Sequence, residues 1–239
     1  TATKIIAVSK ATKDDLLEKV GIDSGKVEVI YEGYDRKLFK PIKFDLLVNS
    51  LSQYGLKARE YFLFVGTVQP RKNLERLMKA YALFARLGLA AFGGSLPSLV
   101  IAGSKGWLSD QIYSLPKKLG IEDRVKFLGY VPDEDLPYFY SGAMALTFPS
   151  LFEGFGLPIL EAQASGCPVL TSSVSSMPEV AGKGAIFVDP YSVDDIVKGM
   201  VEIIDEDTKI KVIKAGFENI KRFSWEKCAR ETLKVLEAL

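Results

Sequence analysis

Histidine is missing from all 239 residues. That gap removes Ser-His and Cys-His nucleophile systems, histidine metal sites and any histidine base supplied by this chain. Cysteine is nearly missing too. Cys167 and Cys228 are the only two, with neither metal spacing nor a disulfide framework, which fits a reducing compartment. No charge excess exists, since 31 basic residues face 30 acidic ones, so no bulk attraction to nucleic acid is expected. Long apolar runs are lacking as well. Residues 80–103 come nearest, but Arg86, Gly93, Gly94 and Pro97 interrupt them, and a membrane span is rejected. No strand leads into Gly-x-Gly-x-x-Gly, which argues against an NAD domain, and Gly21-x3-Gly25-Lys26-Val27 lacks the spacing and the Ser/Thr of a P-loop. Thr1 stands where an initiator Met would, with no secretory leader ahead of it. The chain is therefore read as a piece of a longer protein, and the missing leader says little about the whole.

What is present is enough apolar residue, 48% of the chain, for a large core in one domain or one and a half. Apolar β-rich runs alternate with helical patterns, which predicts an α/β fold with a Rossmann-like, mostly parallel sheet and helices on both faces. The expected strands are Lys4–Val8, Val27–Ile30, Tyr61–Val65, Ser98–Ala102, Val125–Leu128, Ala143–Phe148, Pro168–Thr171 and Ala185–Val188. Leu74, Leu77, Met78, Tyr81 and Phe84 make one helical apolar face, with Asn73 as its expected N-cap. Trp225, Cys228, Thr232, Val235 and Leu239 make another, capped by Ser224. Gly33–Lys43 reads as a linker after a strand–helix–strand remnant, Gly88–Pro97 as a low-complexity loop, and Glu202–Lys214 as a solvated helical face.

The most informative stretch is Glu153-Gly154-Phe155-Gly156-Leu157-Pro158-Ile159-Leu160-Glu161. Pro158 suits the first turn of a helix, where its missing N–H goes unmissed. The glycines then form the loop entering that helix, with exposed backbone donors and the positive end of a dipole. Glu153 sits on the loop and Glu161 about one turn into the helix. Carboxylates accept hydrogen bonds and cannot donate them, so hydroxyls of a sugar or ribose are their natural ligands. The alternative is that both acids only complement the dipole.

A second loop, Gly66-Thr67-Val68-Gln69-Pro70-Arg71-Lys72-Asn73, leaves the strand Tyr61–Val65. Ligands of open α/β sheets bind outside the carboxyl ends of strands, so both loops are expected on one crevice. Arg71 offers a planar fork for phosphate oxygens and Lys72 a mobile point charge. Cations beside a helix N-terminus are mildly disfavoured unless an anion is present, which points to a diphosphate; two exposed charges are the alternative. Gly103 and Ser104 follow a third strand end, and Gly129-Tyr130-Val131 a fourth. Their glycines either let a ligand approach the backbone or simply turn the chain.

Taken in this order, the residues resemble the carboxyl-terminal half of a retaining, nucleotide-sugar-dependent glycosyltransferase of the GT-B fold, in the large group 1 class (family four). Ile6–Thr12 and Val29–Asp35 through Phe39–Pro41 resemble the end of that class's first domain and its hinge; Phe64–Thr67 with Pro70–Leu74 resembles its diphosphate loop. Glu153–Glu161, followed by Ala164-Ser165-Gly166-Cys167-Pro168-Val169, resembles its paired-glutamate motif. The resemblance implies residues 1–40 as a remnant of the first domain with its hinge and 41–239 as the donor-binding domain, its last helix 224–239 crossing back. It implies that Arg71 and Lys72 neutralise the departing pyrophosphate, that Glu161 holds the ribose and that Glu153 faces the sugar. Gly154 and the backbone N–H groups of Phe155, Gly156 and Leu157 lie near sugar and phosphate. Gly66 and Thr67 belong to the phosphate loop, and Gly103, Ser104, Tyr130 and Val131 flank the base. Many members carry Arg after the loop glycine; this chain has Thr67, which shifts the phosphate duty to Arg71 and Lys72.

The donor implied is GDP- or UDP-linked, with GDP-mannose and UDP-glucose both open and mannose the family's leaning. No cofactor or metal is expected to be required, because no Asp-x-Asp pair follows an apolar strand and Arg and Lys do the neutralising. The acceptor, a glycan, lipid or small molecule, would be met through the first domain, in a cytoplasmic setting that includes the inner membrane face. Two other readings stand beside this one. A glycoside hydrolase would use Glu153 and Glu161 as its carboxyl pair, about 5–5.5 Å apart if retaining, and has no use for Arg71 and Lys72. A binding module would grip the nucleotide sugar and catalyse nothing alone.

Overall fold

A computed structural model describes residues 2–88 and 96–238 of the chain. Two parallel sheets organise it. The first is small: β1 (Ile5–Ala7) and β2 (Val27–Val29) pair across α1 (Lys10–Val20). Gly21, part of the P-loop look-alike, ends α1 in the left-handed region, donating its N–H to the carbonyls of Leu16 and Leu17. After α2 (Phe44–Ser52), the second unit alternates β3 (Tyr61–Val65), α3 (Leu74–Gly88), β4 (Ser98–Ala102), α4 (Asp110–Leu119), β5 (Val125–Gly129) and α5 (Leu136–Gly142). It continues through β6 (Ala145–Phe148), α6 (Leu157–Ala164), β7 (Val169–Ser172), α7 (Met177–Ala181) and β8 (Ile186–Val188), then α8 (Val193–Glu202), α9 (Glu206–Asn219) and α10 (Trp225–Glu237).

All eight expected strands form, with ends moved by a residue or two. The six-stranded sheet runs β5-β4-β3-β6-β7-β8, every pair parallel. Counted within the sheet this is 3-2-1-4-5-6, the doubly wound order that reverses between its first and fourth strands. β3, β6 and β7 are buried at every position, as strands covered on both faces must be. One group of helices, α3, α4 and α8, packs together, and a second group joins α2, α5, α6 and α9.

The reversal point has a particular geometry. β3 and β6 are in register only at Phe62–Ala145 and Leu63–Leu146, while β3 stays paired with β4 as far as Val65–Ala102. Past Leu63 the two halves diverge. Thr147 Oγ1 donates to the Leu63 carbonyl at 3.2 Å where the ladder ends, and the rings of Phe64 and Phe148 stack across the gap with centroids 5.8 Å apart. The loops after β3 and β6 leave from this widening.

Some expectations need correction. Asn73 holds the N-cap position of α3, its carbonyl accepting from Leu77 N at 3.1 Å, but its side chain caps no backbone donor among the described residues. The residue sits in the left-handed region at φ 61°, and its Oδ1 accepts from Arg76 Nη1 at 3.1 Å. Its amide donates to the carbonyls of Pro149 and Pro190 at 2.9 and 2.7 Å, tying the first loop to the second. The acid- and lysine-rich stretch 202–214 is broken at Ile203–Asp205, where Asp205 caps α9 through the N–H of Thr208. Residues 33–43 connect the units, yet Tyr34 and Phe39 are buried, and a β carbon on Gly33 would lie 2.1 Å from Trp225 N. Ser224 does cap α10, accepting from Lys227 N, but that helix buries no residue. Leu239 and most of the 88–97 loop lie outside the described residues, and no described helix is long and apolar enough to cross a membrane.

The loops after β3, β4 and β5 are stitched together: Gly66 N donates to Ala102 O at 2.9 Å and Gly103 N to Gly129 O at 2.7 Å. A β carbon on Gly103 would lie 2.0 Å from Gly66 O, so the two backbones touch where only glycine fits. Gly103→Ala should therefore destabilise the fold by about 2 kcal/mol or more, through forced overpacking. In thermal unfolding this is a fall in Tm of roughly 4–8 °C for a chain of this size; an unchanged Tm would disprove the contact.

Candidate functional site

The two loops singled out from the sequence meet directly. Arg71 and Lys72 form a short 3-10 turn after β3, opened by Pro70. Glu153 lies on the loop after β6, 6% exposed. Its Oε2 accepts from Arg71 Nη1 at 2.6 Å and its Oε1 from Lys72 Nζ at 2.7 Å. Arg71 Nη1 also donates to the Phe152 carbonyl, and Leu151 N to the Arg71 carbonyl at 3.0 Å. The alternative of two exposed charges does not hold for Lys72, which is 9% exposed, and Glu153 is an anion for both cations. Burial pulls the Lys72 ammonium below the ordinary lysine value, with Glu153 working against that pull. The Phe148 ring covers part of the ammonium, with Lys72 Nζ 5.1 Å above its centre.

The loop's own backbone is fixed by residues the sequence reading missed. Ser175 Oγ accepts from Glu153 N at 3.2 Å and donates to Glu153 O at 2.9 Å, from a left-handed backbone at φ 58°. Ser176 Oγ reaches the carbonyls of Glu153 and Phe155 at 3.0 and 2.7 Å. Phe155 turns its ring inward, against Tyr31 and Phe223, so only its backbone faces outward chemistry. Gly156 takes the N-cap of α6 at φ 112°, a conformation that favours glycine, and no side chain caps the helix. Among the described residues, no hydrogen bond takes the amides of Phe155, Gly156 and Leu157. These amides and the dipole behind them suit an anion or hydroxyl oxygens.

Two pockets flank this junction. One, of about 190 Å³, gathers Gly66, Thr67, Gly103, Ser104, Tyr130 and Val131. A β carbon on Gly66 would lie 3.6 Å from Lys72 Nζ, so the ammonium stands beside that pocket's floor. The other, of about 210 Å³, holds Leu157 and Glu161 with residues of the connecting segment and Trp225. Each is smaller than the roughly 300–1,000 Å³ of a whole small-molecule site, so each fits part of a ligand. Asp133 lines both; the run Asp133-Glu134-Asp135 after the fourth strand end was the overlooked signal. A larger cavity of about 640 Å³, with Arg59 and Lys209, lies at the opposite ends of the strands, and none of the nominated residues lines it.

Glu161 is the second acid of the motif. Tyr140 donates its hydroxyl to Glu161 Oε2 at 2.7 Å. Burial pushes the Glu161 carboxyl up to about 7; the Tyr140 bond opposes this and Asp133 adds to it. A raised carboxyl keeps its proton in the folded state where the unfolded chain has released it, so stability falls as pH climbs from the ordinary value of 4.5 to about 7, and no further above. Glu161→Gln, which keeps an acceptor for Tyr140, should lack this slope. Urea unfolding across that range should show the variant gaining roughly 2–3 kcal/mol on the wild type between pH 4.5 and 7.5, and parallel curves would rule out the buried proton.

Comparison with known proteins bears on the whole arrangement. A family model described as "Glycosyl transferases group 1" matches residues 51–218. O-antigen chain mannosyltransferase B of Escherichia coli is 38% identical over 190 residues, covering 79% of this chain and 49% of that protein. D-inositol 3-phosphate glycosyltransferase of Corynebacterium glutamicum is 30% identical over 224 residues, covering 91% and 53%. The chain thus spans about half the length of these relatives. Among solved structures, sucrose-phosphate synthase from Thermosynechococcus elongatus superposes with a TM-score of 0.82 at 26% identity, covering 100% of this chain and 58% of that one. Anabaena HepE, solved with UDP and glucose, gives 0.83 at 22% identity, covering 100% and 64%, a likeness of fold. With a matching family model over most of its length and the α/β sheet of its GT-B relatives, the chain belongs to the group 1 glycosyl transferases.

Proposed function

We propose that this chain is the donor-binding part of a retaining hexosyltransferase that takes its sugar, mannose or glucose, from a nucleoside diphosphate. The observation that carries the proposal is the meeting of Arg71, Lys72 and Glu153 at the sheet's reversal point, on loops whose neighbouring residues Gly66 and Leu157 each line a partial pocket. In this reading residues 1–40 belong with the preceding domain and 41–239 form the donor domain. α10, none of whose residues is fully buried within this chain, crosses back to that preceding domain, where the acceptor is held. The relatives named as mannosyltransferases favour mannose, and neighbours solved with UDP or UDP-glucose support a nucleotide-sugar donor, with GDP and UDP both open. The setting that goes with this reading is the cytoplasm, at the inner membrane face where the acceptor is a lipid.

The chemistry asked of the site is electrostatic. As the glycosidic bond breaks, negative charge grows on the diphosphate and the sugar takes on oxocarbenium character. Arg71 and Lys72 meet the first, aided by the free amides at the start of α6. Glu153 lies where a carboxylate can favour the second while holding both cations in place. Glu161 and Asp133, in one pocket, suit ribose hydroxyls, and Gly103, Ser104, Tyr130 and Val131, in the other, suit the base. The two-carboxylate hydrolase loses support, because Glu153 is engaged by two cations rather than free to donate a proton.

Calorimetry with GDP, UDP, guanosine and uridine tests the proposal. The wild-type chain should bind at least one diphosphate more tightly than its nucleoside. Lys72→Ala should lose roughly 10–100-fold in diphosphate affinity, the range of a charged hydrogen bond, with little change for the nucleoside. Equal losses for both would remove Lys72 from the phosphate role. Binding of neither diphosphate by the wild type, or hydrolysis of an aryl glycoside, would overturn the donor-site reading.

A further inference from the structure

Glu179, on α7, takes no part in the site described so far. Its carboxylate accepts three hydrogen bonds from the first unit. Oε2 accepts from Lys10 N and from the Tyr31 hydroxyl, both at 3.0 Å, and Oε1 accepts from Ala11 N at 2.9 Å. Lys10 and Ala11 begin α1, where backbone donors lack partners within the helix and the dipole favours a negative charge. Ser9 Oγ takes the next donor, Thr12 N, at 3.0 Å. A residue more than 160 positions away in sequence thus completes the cap of α1.

The elements that Glu179 grips also hold the glycine loop. Ser9 Oγ donates to Thr12 Oγ1 at 2.9 Å, leaving the Thr12 hydroxyl proton for the Gly154 carbonyl at 3.1 Å. The Tyr31 ring lies 6.1 Å from that of Phe155. From the other side, Ser175 and Ser176, on the segment leading to Glu179, grip Glu153 and the Phe155 carbonyl. The loop Glu153–Gly156 is therefore clasped between two holders, and Glu179 binds one holder to the other.

We infer that Glu179 is a positioning residue which locks α1 and Tyr31 onto the Ser175–Glu179 segment, so that the seating of the first unit sets the backbone of the Glu153–Gly156 loop. A residue that merely capped α1 would leave the loop indifferent to its loss. Mass-spectrometric hydrogen exchange on this chain separates the two. Glu179→Gln keeps one acceptor and sets an amide NH₂ against the donors. Exchange at residues 10–13 should quicken roughly tenfold, and exchange at the loop amide of Glu153, whose N–H Ser175 Oγ accepts at 3.2 Å, should quicken with it. Affinity for whichever of GDP and UDP the wild type binds should fall about fivefold or more. Thr12→Val should quicken the loop alone.

Faster exchange in α1 with loop and affinity unchanged would overturn the inference. Should Glu179→Gln loosen the whole sheet, Tyr31→Phe decides, since it removes one hydroxyl: a faster loop supports the coupling and an unchanged loop refutes it. The affinity arm rests on the donor-site reading. If the wild type binds neither diphosphate, that reading fails, while the exchange arm still decides the coupling.

Discussion

The carboxyl-end edge of the large sheet is organised around a buried carboxylate shared by two cations. Taking the charges of Glu153 and Lys72 out of water costs several kcal/mol per ion, and such groups persist only where geometry and hydrogen bonds are good, whereas Arg71 stays partly exposed. Both conditions hold for Glu153, with one oxygen for each partner at 2.6 and 2.7 Å. The triad's value lies less in stability than in register. It pins the loop after β3 to the loop after β6, and Asn73 repeats the link through two carbonyls. Two cations against one carboxylate leave a formal charge of +1, which makes the junction receptive to an anion without leaving bare lysine and arginine at a helix start.

Topology decides where that triad can form. A doubly wound sheet reverses its strand order once, and only there do the loops leaving two neighbouring carboxyl ends turn to opposite faces of the sheet. Arg71 and Lys72 lie 82 and 81 positions from Glu153, a separation that no local rule could bridge. The strand order brings them together, and the lapse of pairing past Leu63 and Leu146 leaves the space for them.

Much of this was legible in the sequence because the relevant signals are local. Burial on both faces makes central strands such as Tyr61–Val65 continuous apolar runs, and the partly exposed outer ones were visible from their short β-rich runs between helical patterns. Gly66, Gly103 and Gly156 marked the loops, since close approach or an unusual backbone requires them. What stayed hidden was tertiary. Asn73 has the composition of a cap, yet distant carbonyls of Pro149 and Pro190 claim its amide. Ser175, Ser176 and Glu179 look like an ordinary turn and short helix, and their partners lie on the Glu153–Phe155 loop, at the start of α1 and at Tyr31. The pairing of Glu153 with Lys72 was also invisible: sequence supplied both residues as ligand-facing charges, and only the fold shows that they first satisfy each other.

The stacked rings of Phe64 and Phe148 carry one more implication. They fill the wedge where the two halves of the sheet part, with Lys72 resting on Phe148 and the tip of Phe64 3.6 Å from where a β carbon on Gly66 would sit. The breadth of the crevice mouth is consequently gauged by aromatic thickness rather than by strand pairing. Evolution can retune that gauge by trading one ring for a slimmer or bulkier side chain, without disturbing a single rung of the ladder beneath it.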